Sequence, residues 1–156
     1  TIIMGSESDL ETVSEAANLL KEFGVDFEAR VLSAHRTPKE LASFVEAASA
    51  RGTKVFIAAA GGAAALAGVV AAHSILPVIG IPIESKSLKG MDSLLSTVQM
   101  PPGIPVASMA IGKSGAKNAA LFALEVLAVS DKKISEKLIR YRKGMRDKII
   151  KTKIRL

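Results

Sequence analysis

The 156 residues include no cysteine and no tryptophan, a single tyrosine and only two histidines. Without cysteine the chain can form no disulfide, no thiolate zinc site and no cysteine nucleophile. Stability has to come from a core, and a chain of this length can bury about two thirds of its unfolded surface without staples. Aromatics make up only 4% of the sequence, which leaves little with which to stack nucleic-acid bases. No basic segment precedes an apolar one near the start, so no signal peptide is recognisable. A chain free of thiols also suits a reducing compartment, and the expected location is the cytoplasm.

What is present is mostly aliphatic: the hydrophobic set reaches 49%. No residue from Val55 to Ile83 carries a formal charge, a run long enough to cross a bilayer as one helix. Gly61-Gly62 and Pro77 interrupt it, so it reads as a buried strand, an alanine-rich helix and a second strand, with no membrane span. The formal net charge is +6, but residues 131–156 alone hold eleven Lys or Arg against three acids. That basic stretch has an apolar stripe, Ile134, Leu138, Tyr141, Met145 and Ile149, at helical spacing, and reads as a C-terminal helix that docks on a neighbouring subunit. With no nucleic-acid motif in it, nucleic acid is not an expected partner.

Three strand-to-helix turns follow in order. Ile2–Met4 reads as strand and Gly5-Ser6-Glu7-Ser8-Asp9 as a turn, with Ser8 and Glu11 at capping-box spacing. Backbone N–H groups and hydroxyls there favour an anion, so Ser6 and Ser8 are candidate phosphate contacts and Asp9 a candidate for sugar hydroxyls. Val25 to Leu32 alternates as a second strand and leads into Ser33-Ala34-His35-Arg36-Thr37-Pro38, where Thr37, Pro38 and Glu40 give a cap, a first-turn proline and a box. Strand three, Lys54 to Ala59, leads into Ala60-Gly61-Gly62-Ala63-Ala64-Ala65, where paired glycines let a ligand approach the backbone. Strands four, Val78 to Ile81, and five, Val106 to Ile111, complete the pattern. It predicts a three-layer, doubly wound parallel α/β sheet, flavodoxin-like (Rossmann-like), with a C-terminal helix, in a single domain over 1–156. In a parallel sheet all three turns fall on the carboxyl edge, and a flavodoxin-like order puts the crevice between strands one and three.

Histidine is the one side chain that titrates near neutrality without help from its surroundings, and His35 stands beside a permanent cation at a helix start. That pairing suits proton transfer on an anionic ligand. Gly112-Lys113-Ser114-Gly115 is no triphosphate loop, because Ala107 stands where that motif requires glycine and residues 107–111 read as strand.

The segments Met4-Gly-Ser-Glu-Ser-Asp9, Ser33-Ala-His-Arg-Thr-Pro38, Ala60-Gly-Gly-Ala-Ala64, Asp92-Ser-Leu-Leu-Ser96 with Val98-Gln-Met-Pro101, and Gly103-Ile-Pro-Val106 together resemble the PurE family, class I N5-carboxyaminoimidazole ribonucleotide mutase of purine biosynthesis. The resemblance spans nearly the whole chain. It implies an isomerase that needs no cofactor and no metal, acts on a small-molecule ribonucleotide and assembles as a homo-octamer. It assigns the catalytic role to His35, and substrate binding to Ser6, Asp9 and Arg36 with Ser8, Ser33 and Gly61 beside them. Loops 84–90 and 99–103 are expected to help close the site. One departure stands out: Ala65 and Ala67 occupy positions where the family usually has histidine and proline. His73 cannot substitute, being about 12 Å further along a helix and roughly 80° around its axis. Two alternatives stay open: the family's class II carboxylation of aminoimidazole ribonucleotide with carbon dioxide, and a nucleotide-binding relative with turnover impaired at Ala65.

Overall fold

A computed structural model describes residues 1–154; positions 155 and 156, the end of the predicted 131–156 helix, lie outside the described residues. The elements run β1 (Ile2–Met4), a 3₁₀ turn (Glu7–Asp9), α1 (Leu10–Glu22), β2 (Ala29–Val31), α2 (Pro38–Ala50), β3 (Phe56–Gly61), α3 (Leu66–Ala72), β4 (Val78–Ile83), α4 (Met91–Val98), β5 (Ala107–Ser108), α5 (Gly112–Ala128) and α6 (Lys132–Lys151). All pairings are parallel, in the order β2-β1-β3-β4-β5. This is the flavodoxin-like arrangement read from the sequence. The uncharged run from Val55 resolves into β3, α3 and β4 as expected, and among the described residues no helix is long and apolar enough to cross a membrane.

Alternation along the strands builds two cores. Ile2, Met4, Ile57, Ala59, Ile79 and Ile81 point to one face, where α1, α5 and α6 cover them. Ile3, Phe56, Ala58 and Val78 point to the other, beneath α2 and α3. Both faces of the central strands are buried, which is why they read as continuous apolar runs. Alanines at 116, 119, 120 and 123 of α5 are buried, and such small side chains let a helix lie close to its neighbours.

Several boundaries differ from the expectation. β2 covers three residues instead of Val25 to Leu32, because it is an exposed edge strand and β1 offers it only three partners. β5 shrinks to Ala107–Ser108. Gly80 turns its carbonyl toward β5 and accepts the Met109 N–H at 2.9 Å; two residues on, Pro82 shares that side and has no N–H with which to continue the ladder. The Gly112-Lys113-Ser114-Gly115 segment is the first turn of α5. At α6, Asp131 caps Lys133 and Ile134, and the first half of the stripe, Ile134, Leu138 and Tyr141, packs on the chain's own core. Met145 and Ile149 remain exposed, so only the distal half of the stripe is left for a neighbour.

The α5 start depends on one close approach. A Cβ added at Gly115 would overlap the carbonyl of Ala110, a backbone group that cannot swing aside. Gly144 of α6 has nothing within 4 Å of the same position. Gly115→Ala should therefore destabilise the fold by about 3 kcal/mol or more, whereas Gly144→Ala should stabilise it by about 0.5–1 kcal/mol; urea unfolding of the two variants measures both.

Candidate active site

The three turns after β1, β2 and β3 come together around one cavity of about 470 Å³, lined by all seven candidate residues: Ser6, Ser8, Asp9, Ser33, His35, Arg36 and Gly61. Ala65 lines it too, as do Ile83, Glu84 and Ser85 from the end of β4 and the loop beyond. A volume of this size suits a small molecule.

The first turn is shaped by a capping box, but not the expected one. Ser6 accepts the Ser8 N–H while the Asp9 carboxylate accepts the Ser6 N–H at 3.1 Å. Ser8 and Glu11 do not form a box, because the chain enters α1 through a 3₁₀ turn that brings the cap two residues forward. The Ser8 hydroxyl donates toward Ser6 Oγ and toward Asp9, linking the three candidates of this turn.

The second turn closes on itself. Thr37 Oγ1 accepts the Ser33 N–H at 2.9 Å and donates to the Ser33 carbonyl at 3.1 Å, so it makes no cap to α2 and the expected Thr37–Glu40 box is absent. Ser33 Oγ accepts from both the backbone N–H and Nε of Arg36. Arg36 Nη2 then reaches across to the Gly5 carbonyl at 2.9 Å and ties the second turn to the first. A guanidinium has five N–H donors, and these two side-chain bonds use two of them. His35 is exposed on the cavity wall, with no side-chain hydrogen bond among the described residues.

The third turn carries the glycines. Gly62 sits at φ +66°, which favours glycine on backbone grounds. Gly61 does not need that freedom, and a Cβ there would meet Ile83 at an ordinary 3.6 Å. The chain's own packing therefore does not require glycine at 61; what a side chain there would obstruct is the cavity.

The sequence places Ser85 in a loop expected to help close the site, and Asp92 and Ser93 in one of the segments that carry the family resemblance. The structure shows them joined. Asp92 Oδ1 accepts from Ser85 Oγ at 2.7 Å and from the Ser93 N–H at 2.9 Å. These bonds, the Ser85 hydroxyl first, hold the Asp92 carboxyl below the usual aspartate range. An acid and a serine in the first turn of α4 were the available signal, but only the fold shows that Ser93 meets the glycine turn and Asp92 the Ser85 hydroxyl. Residues 99–103, by contrast, do not line the cavity. The eight residues of α4 carry the chain about 12 Å away from the carboxyl edge, and Gly103 lies in a groove with Pro77 and Val78 at the start of β4.

Asp9 is only 6% exposed. Burial pushes its carboxyl above the usual aspartate range, against the Ser8 and Ser6 hydrogen bonds and the nearby Arg36 charge, which lower it. As pH rises, the unfolded chain releases this proton first, so Asp9 costs stability above its folded pKa and costs nothing below the unfolded value of about 3.9. Asp9→Asn keeps an acceptor for the Ser6 N–H and removes the charge. Thermal melts should show it more stable than the unsubstituted protein at pH 7, with the gap narrowing as pH falls into the aspartate range; a gap independent of pH would contradict this.

A family model described as AIR carboxylase matches residues 1–148. The chain is 58% identical over 145 residues to an N5-carboxyaminoimidazole ribonucleotide mutase of Pyrococcus abyssi, covering 93% of this chain and 82% of the relative. It is 52% identical over 153 residues to the mutase of Saccharolobus solfataricus, covering 98% and 96%, and 50% identical over 151 residues to that of Bacillus subtilis, covering 97% and 93%. Among solved structures, Treponema denticola PurE superposes with a TM-score of 0.87 at 33% identity, covering 96% of this chain and 92% of that one. With its parallel sheet, its cavity of three turns and these relatives all agreeing, the chain belongs to the AIR carboxylase family.

Proposed function

We propose that this protein is an N5-carboxyaminoimidazole ribonucleotide mutase, an isomerase of purine biosynthesis that moves a carboxylate from the exocyclic nitrogen of the aminoimidazole to carbon 4 of its ring. The observation that carries this reading is the gathering of serine hydroxyls, Asp9, Arg36, His35 and Gly61 from three separate turns onto one cavity. Ser6, Ser8, Ser33 and Arg36 supply hydroxyl and guanidinium donors for the phosphate, Asp9 an acceptor for sugar hydroxyls, and Gly61 open backbone for the ring.

His35 handles the proton. The nitrogen–carboxylate bond breaks, its electron pair returns to nitrogen with a proton from the imidazolium, and carbon dioxide is held in the pocket. Ring carbon 4 then forms the new bond to carbon dioxide, and its proton passes back to the imidazole. Protons and electron pairs balance over the cycle. A group that is uncommitted to protein partners suits both transfers, and His35 has no side-chain bond among the described residues. A second reading, binding with impaired turnover, draws support from Ala65, a methyl on the cavity wall where the resemblance places an imidazole.

The same proposal includes one domain, a cytoplasmic location, no nucleic-acid partner, and an octamer. Tyr141, the one aromatic of the basic helix, packs edge-on against Phe23 with ring centroids 5.7 Å apart, which takes it away from base stacking. The exposed Leu95 and Val98 of α4, with Met145 and Ile149 of α6, offer apolar area for neighbouring subunits. Light scattering should give a mass well above the 16.3 kDa of one chain; a monomer would overturn the assembly.

Incubation with N5-carboxyaminoimidazole ribonucleotide should yield the 4-carboxy isomer, and His35→Asn should lower the rate by about 10² or more. Undiminished product from that variant would sink the role of His35. Tight binding without conversion by the unsubstituted protein, with conversion restored in Ala65→His, would establish the second reading.

A further inference from the structure

The wall of the cavity formed by the ends of β3 and β4 has no hydroxyl or charge of its own to hold it in place, apart from Glu84 and Ser85. The strands part there. Gly61 and Ile83 are the last paired rung, and beyond it Gly62 turns at φ +66° toward α3 while the chain after Ile83 heads for α4. A ladder that ends at a site leaves N–H and C=O groups to be satisfied by something else.

Ser93, in the first turn of α4, fills that place. Its side chain is fully buried. Its Oγ accepts the Gly62 N–H at 2.9 Å and donates to the Ile83 carbonyl at 2.7 Å, so one hydroxyl bridges the two strand exits as a further rung. Neither Ser93 nor Asp92 lines the cavity, whereas Gly62, Ile83 and Ser85 do. Asp92 works on the adjoining segment: its carboxylate holds the Ser85 hydroxyl, which in turn accepts the Gly90 N–H at 3.2 Å and closes the 85–90 loop. Thr97 Oγ1 bonds back to the Ser93 carbonyl at 2.7 Å within the buried face of α4.

We propose that Ser93, with Asp92 beside it, is a positioning residue of the reaction, holding the Gly62 turn against Ile83 and the Ser85 hydroxyl at the cavity so that the wall opposite the phosphate-side turns is fixed. This rests on the mutase reading for its kinetic consequence and on the hydrogen-bond geometry alone for its structural one. A carboxylate moved between two atoms of one ring demands a wall that does not shift, and small misplacements of such a wall are costly in rate. Phosphate-side contacts come from the other two turns, so loss of the clamp should weaken turnover far more than affinity.

The test compares unsubstituted protein with Ser93→Ala, Ser93→Thr and Asp92→Ala, each first shown by circular dichroism to be folded at the assay temperature. Ser93→Ala should lower kcat by about ten-fold or more while KM changes by less than about three-fold, and amide hydrogen exchange at Gly62 should quicken. Ser93→Thr keeps the hydroxyl and should recover part of kcat and the protection at Gly62. Asp92→Ala, at a partly exposed site, should show the same split without altering Gly62 and serves if Ser93→Ala does not fold. An unchanged kcat in folded Ser93→Ala, or loss of rate accounted for by loss of folded protein, would overturn the proposal, as would an unchanged kcat in Asp92→Ala. Should the unsubstituted protein show no conversion, the mutase reading fails by itself, and Gly62 exchange decides the clamp: faster in Ser93→Ala supports it, unchanged overturns it.

Discussion

The structure depends on β1 lying between β2 and β3 with all three strands parallel. Parallel neighbours cannot be joined by tight turns and need crossovers, here helices, which cover both faces of the sheet. The same constraint sends every strand-to-helix turn to one edge. Three buried residues, Ile2, Ile3 and Met4, are enough to set it, because Ile3 faces one core and its two neighbours face the other. The site exists because the order reverses between β1 and β3: α1 leaves one strand toward one face, α3 leaves the other toward the opposite face, and the cavity opens between them.

The turns that meet at that edge are held by bonds of their own before any ligand arrives. Ser6 with Asp9 shapes the first, Ser33 with Thr37 the second, and the Arg36 guanidinium bonded to the Gly5 carbonyl joins them. Such preorganisation carries a cost. The Asp9 carboxylate is buried where its charge is disfavoured, the usual sign of a residue kept for function at the expense of stability. Gly61 has a similar status, since the local packing would accept a side chain that the cavity would not. His35 differs from both, standing exposed beside a network it does not join.

Much of this was legible in the sequence, and the reason is periodicity. An uncharged run cut by Gly61-Gly62 and Pro77 could only be strand, helix and strand, and once three such turns appear in order the edge they share follows from topology. Resemblance to a known family then put names to Ser6, Asp9, His35 and Arg36, and the fold brings them to one cavity. What was hidden depends on contacts between distant segments. Capping-box spacing occurs at both Ser6–Asp9 and Ser8–Glu11, and only the 3₁₀ entry to α1 selects the first. The short β5 follows from a proline on the neighbouring strand, and the remoteness of residues 99–103 from the length of α4. Ser93 is not legible in this way, because nothing local distinguishes a serine that caps from one that bridges two strand ends thirty-one and ten residues away.

If the mutase reading holds, the three turns form one ribonucleotide site with its reacting ring between His35 and the glycine turn. A crystal structure of the protein soaked with 4-carboxyaminoimidazole ribonucleotide tests it most directly. The phosphate should lie against Ser6, Ser33 and Arg36, the sugar hydroxyls on Asp9, and the ring over Gly61 within hydrogen-bond reach of the His35 imidazole. A nucleotide bound elsewhere on the chain, or in this cavity with its ring turned away from His35, would contradict it.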